Sequence, residues 1–133
     1  MKFLNPRIHG YVDYASVALL ALAPTLFAFG GVAAAICYIA AIGLLGLSLC
    51  TAYPLGIARL VPFTVHGALE FGASIAFVVA PWLFGFDVTA SARNFFIVFG
   101  IALFGLYMIT NYKAADAYRA EPRMPHSGTG LST

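Results

Sequence analysis

Apolar residues run through this chain in four blocks, roughly Ile8 to Phe29, Val32 to Tyr53, Val65 to Phe86 and Phe95 to Tyr112, with polar residues gathered between them. Each block holds about 18 to 22 residues, the length a helix needs to cross about 30 Å of hydrocarbon. Lipid offers the backbone no hydrogen-bonding partner, so blocks of this kind predict four α-helices. Short connections fall near Gly30-Gly31 and at 86–94, and a longer one, TAYPLGIARLVPF, joins the second block to the third. After Tyr112 the pattern fades. The stretch Pro122 to Thr133, with its prolines, glycines, serines and threonines, reads as disordered, and His126 within it receives no role.

The pattern is also written twice. His9 to Gly30 aligns without a gap on His66 to Asp87, with seven identities in 22 positions at a constant offset of 57 residues. His9 meets His66, Gly10 meets Gly67, Asp13 meets Glu70, and Ala23-Pro24 meets Ala80-Pro81. Ile42 to Tyr53 then aligns with Ile101 to Tyr112 at an offset of 59, pairing Thr51 with Thr110 and Tyr53 with Tyr112. One unit used twice is the reading. Its copies are 1–58 and 59–112, followed by a cytoplasmic tail, 113–133. Each copy has two spans, so the second enters the membrane in the same direction as the first. That predicts an all-α integral membrane protein, a four-helix bundle of two parallel hairpins about an axis along the membrane normal.

Composition agrees with a bilayer. Hydrophobic residues make up 62% of the chain and charged residues 9%, with mean hydropathy +0.91, a balance that cannot cover a soluble domain with polar surface. Lys2, Arg7, Arg59, Lys113, Arg119 and Arg123 fall on one side of the predicted spans and Arg93 alone on the other, which puts both termini in the cytoplasm. The net charge of +2 is then a topological signal, and without a basic run it gives no nucleic-acid footprint. Lys2 and Arg7 before an apolar block outline a signal peptide, but the repeat predicts that the first span is retained. Cys37 and Cys50 share the second span about 20 Å apart along its axis, too far to pair.

Small residues at helical spacing predict packing faces in lipid: Gly72, Ala76 and Ala80 on the third span, Gly43 and Gly46 on the second, Gly100 and Gly105 on the fourth. On this reading Gly72→Leu separates the helices. Tyr11, Tyr14, Tyr53, Tyr107 and Tyr112 read as an aromatic belt at the cytoplasmic edge, and Phe27, Phe29, Trp82, Phe84, Phe86, Phe95 and Phe96 as its outer counterpart. Pro24 and Pro81 each delete a backbone hydrogen bond and are expected to kink or end the first and third helices.

Candidate chemistry is confined to one place. His9 and Asp13, and again His66 and Glu70, stand four residues apart on one helical face, at the same depth near the cytoplasmic mouth. With Arg7 and Arg59 nearby they form a convergent polar cluster, and ionisable groups inside a span are costly enough to demand a reason. One reason is structural: the acids favour helix N-termini, pair with the arginines or histidines, and fix hairpin registry. Another is ligation. His9 and His66 suit a bis-histidine haem b with Asp13 and Glu70 behind the imidazoles, and two histidines with two carboxylates are also a chemically reasonable metal site. A proton or ion path would need a continuous polar route, and the span interiors offer none. No phosphate loop, catalytic triad or Cys-x-x-Cys occurs, so no enzyme is predicted.

The duplicated HG-x-x-[DE]-aromatic start followed by A-P-x-L-F-x-F resembles the SPW-repeat integral membrane proteins. The likeness runs from about Pro6 to Tyr112, with Ala80-Pro81-Trp82 and Ala23-Pro24-Thr25 at the positions of the Ser-Pro-Trp motif and serine absent from both. The resemblance implies a bacterial inner-membrane protein of two or four spans and no defined activity. Taken together, the sequence predicts a small structural or accessory subunit. Its partners would be the lipid bilayer and either itself, as a homo-oligomer, or a larger membrane complex. The alternative is a haem- or metal-binding membrane protein, and less so an ion transporter.

Overall fold

The computed structural model describes residues 2–115 and is all-helical: α1 (Pro6–Leu26), α2 (Gly31–Cys50), α3 (Phe63–Leu83) and α4 (Ala90–Ile109). The expected tail structure, with Arg119, Arg123 and His126, lies outside the described residues. Asn5 starts α1 by accepting the Ile8 amide on its side chain at 2.9 Å, with Pro6 in the first turn, where its missing N–H costs nothing. Among the described residues three helices, α2, α3 and α4, are long and apolar enough to cross a membrane, at mean hydropathies of 2.3, 1.5 and 1.8. At 21 residues α1 is as long as any of them but carries Pro6, Arg7, His9 and Asp13 in its first half. Large apolar side chains such as Ile39, Ile42, Val98 and Ile101 point outward. Such a surface suits lipid and not water, which points to a membrane protein.

The helices pack as two hairpins, α1 on α2 and α3 on α4, and α1 also touches α4. Both first helices end alike: the Phe27 and Phe84 amides cap Ala23 and Ala80 carbonyls, and the Phe29 and Phe86 amides close on Pro24 and Pro81 carbonyls at 3.0 and 2.9 Å. Pro24 and Pro81 thus lie buried in the last turns and mark helix ends. At the opposite end of the bundle the chain is laced crosswise. Leu4 exchanges backbone hydrogen bonds with Ile109 and Asn111 at the end of α4, while Val61, just before α3, does the same with Cys50 and Ala52 at the end of α2. Gly56 permits the turn between α2 and α3, since a Cβ there would strike the Thr51 carbonyl oxygen.

Two corrections to the sequence reading concern which faces pack. Gly72, Ala76, Gly43, Gly46 and Gly105 are exposed, and a Cβ at any of these four glycines would meet nothing. Gly72→Leu therefore leaves the helices together. The close approach is at Gly100, where a Cβ would lie 2.7 Å from the Ser74 carbonyl oxygen of α3. Gly100→Leu should weaken the α3–α4 contact, lowering stability in detergent by about 1–3 kcal/mol, the usual cost of overpacking, as read by reversible unfolding. The aromatic belts also dissolve in part. Phe29, Phe86, Phe95 and Phe96 are buried and stack with Phe77 and Phe99 in the apolar core at the far end of the bundle. Cys37 and Cys50 are free thiols.

Candidate metal centre

The crosswise end of the bundle encloses all four residues of the polar cluster. His9 and Asp13 come from α1, His66 and Glu70 from α3, and none is more than 3% exposed. His9 Nε2 lies 3.2 Å from Asp13 Oδ1 and 3.3 Å from Glu70 Oε2, and His66 Nε2 lies 3.4 Å from Asp13 Oδ2 and 3.6 Å from Glu70 Oε1. One ligand atom from each residue falls within 4.8 Å of the other three. The i,i+4 spacing did place each pair on one face, and the bundle turns the two faces toward each other.

Arg7 and Arg59 do not join them. Both are exposed, and among the described residues every ion-pair contact of Asp13 and Glu70 is to a histidine. Arg59 instead reaches back to the Gly56 carbonyl. The cluster is thus two carboxylates sealed from water without a permanent counter-charge, an arrangement costing several kcal/mol per ion unless a cation lies among them.

What surrounds the four residues fixes what they present. The Thr110 hydroxyl sits 2.7 Å from the Leu106 carbonyl and 2.9 Å from His9 Nδ1, and the Thr51 hydroxyl 2.6 Å from the Leu47 carbonyl and 2.8 Å from His66 Nδ1. Tyr112 donates to Glu70 Oε2 at 2.7 Å. Ser48 and Tyr53 donate longer bonds, 3.3 and 3.4 Å, to Asp13 Oδ2. Among the described residues four buried atoms, His9 Nε2, Asp13 Oδ1, His66 Nε2 and Glu70 Oε1, lie close to one another but make no well-directed hydrogen bond. That is one atom per residue, two nitrogens and two oxygens. Buried polar atoms are nearly always satisfied, so the four facing one another are satisfied either by protons on the two Nε2 atoms or by a shared cation.

Tyr53 and Tyr112, expected in a membrane belt, are instead 1% and 5% exposed and donate to the Asp13 and Glu70 carboxylates. Their rings lie over Gly10 and Gly67, where a Cβ would strike them, which is why each histidine is followed by glycine. Phe63 closes the cluster from the connecting-loop side. Its ring is 5.0 Å from His9, 5.8 Å from His66, 5.5 Å from Tyr53 and 4.8 Å from Tyr112, centroid to centroid. Thr51, Thr110, Tyr53 and Tyr112 stand as matched pairs in the two aligned stretches of the sequence. The signal lay in polar groups recurring at the same end of two spans.

No protein-family model, curated protein or solved structure matches the chain.

Proposed function

We propose that this chain is a four-span inner-membrane protein that binds one divalent transition-metal ion, of the zinc class, between two parallel hairpins, with His9, Asp13, His66 and Glu70 as its ligands. The observation that carries this reading is the set of four unpartnered buried atoms, one from each residue. Nitrogen and oxygen ligands about 2.0–2.1 Å from a tetrahedral zinc ion stand about 3.3–3.4 Å apart. Among the four unpartnered atoms, the His9 Nε2–Asp13 Oδ1 separation of 3.2 Å and the His66 Nε2–Glu70 Oε1 separation of 3.6 Å bracket that edge, and one candidate ligand atom from each residue lies within 4.8 Å of the others. Two neutral imidazoles and two carboxylates also cancel a charge of +2, the condition a low-dielectric site imposes.

A bare ion suits this cluster better than a bis-histidine haem. A porphyrin would need the plane between the two imidazoles, and the Asp13 and Glu70 oxygens already crowd both Nε2 atoms there. With all four ligands buried and no open position, the ion is a structural clamp, which joins the metal reading to that of an accessory protein. The parallel duplication is part of the proposal. Matched helix ends, matched Thr–His and Tyr–carboxylate bonds and matched backbone lacing at Leu4 and Val61 support it. So are the fourth span, formed by α1, the cytoplasmic termini inferred from the cations, and membership of the SPW-repeat proteins.

Elemental analysis of the detergent-purified protein tests the reading. Grown with zinc, it should carry about one ion per chain, and His66→Ala should carry none while keeping its helical circular dichroism. Folded wild-type protein that stays metal-free in excess zinc overturns it.

A further inference from the structure

Each histidine is braced by the other hairpin. His9 of the first hairpin meets Thr110 at the end of α4, and His66 of the second meets Thr51 at the end of α2. A threonine hydroxyl has one proton to give. Two oxygens 2.6 or 2.7 Å apart repel unless a proton lies between them, and a carbonyl has none, so each hydroxyl spends its proton on the Leu47 or Leu106 carbonyl. Its lone pair then faces a ring nitrogen at 2.8 or 2.9 Å, which must be an N–H. Nδ1 therefore carries a hydrogen, and in the neutral ring that a metal requires Nε2 keeps the lone pair.

We propose that Thr51 and Thr110 are positioning residues that lock His66 and His9 in the Nδ1–H tautomer, so that both Nε2 lone pairs face the cluster and the site takes a four-coordinate transition ion in preference to magnesium or calcium. This rests on the metal reading for its second half only. Magnesium needs six ligands and calcium six to eight, nearly all oxygen. Here Tyr112 occupies one Glu70 oxygen and Tyr53 and Ser48 one Asp13 oxygen, leaving two oxygens beside two nitrogens. Partners behind a metal-bound histidine fix its tautomer and orientation, and losing one typically costs about 10–100-fold in affinity.

Threonine and valine are nearly the same shape, so Thr51→Val and Thr110→Val remove the hydroxyl with little change in packing, and Thr→Ser restores it. Long-range proton–nitrogen NMR of the metal-free, ring-labelled protein should show the Nδ1–H form for both histidines, lost for His66 in Thr51→Val and for His9 in Thr110→Val, and recovered with serine. Zinc affinity should fall about 10-fold or more in each valine variant and recover with serine. Magnesium and calcium at a large excess should not displace zinc. An Nε2–H form in the wild type overturns the lock even if zinc binds. The lock seen without zinc binding removes the metal reading alone. Unchanged zinc affinity in both valine variants removes the selectivity role.

Discussion

Free zinc held about 1,000-fold above its dissociation constant should stabilise the folded protein by about 4 kcal/mol over the chelated form. The size follows from mass action, because the four proposed ligands stand together only when α1 and α3 are docked. Unfolded hairpins offer at most an i,i+4 pair each, too few to retain the ion. The measurement is the unfolding midpoint in mixed micelles as zinc is titrated, with magnesium as control. A midpoint that ignores zinc means that the ion, if bound at all, does not join the hairpins.

With zinc bound, Glu70→Ala should cost more than substitution of any lipid-facing residue, about 3–5 kcal/mol, because it removes one of the two buried charges that balance the ion. The loss leaves the Tyr112 hydroxyl without its acceptor and the proposed ion one ligand short. The contrast is the informative part. Replacing His9, Asp13, His66 and Glu70 together by apolar residues of similar volume should be far less damaging than Glu70→Ala alone, since packed apolar groups often match a buried ion cluster in stability. Reversible unfolding of both variants checks this. A Glu70→Ala protein as stable as the parent would show that the carboxylate holds nothing.

How far the sequence reached follows from what lipid conceals. Element positions were legible, because charges and turn residues interrupt apolar blocks sharply. The i,i+4 spacing of His9 with Asp13 and His66 with Glu70 was legible too, since helix geometry alone puts each pair on one face. Which face of each helix packs was not. In water an apolar residue must turn inward, whereas in a bilayer Gly72 and Ile42 are as comfortable outside as Phe96 is inside. Periodicity then loses its contrast, and the exposed Gly72 and the buried Phe96 were assigned to the wrong surroundings for that reason. Tyr53 and Tyr112 misled through their amphipathic character, which fits a membrane edge and a carboxylate partner equally well. Arg7 and Arg59 are close in sequence but lie exposed on the surface, apart from the buried cluster.

The crosswise bracing sets an order on biogenesis. When the first hairpin has left the translocation machinery, Asp13 has its tyrosine, but His9 still lacks Thr110, and Thr51 has no imidazole to steady. Neither hairpin owns a complete half of the centre. If the centre binds the proposed ion, capture waits until the end of α4 has docked beside Leu4, and a loaded centre then reports a bundle closed from end to end.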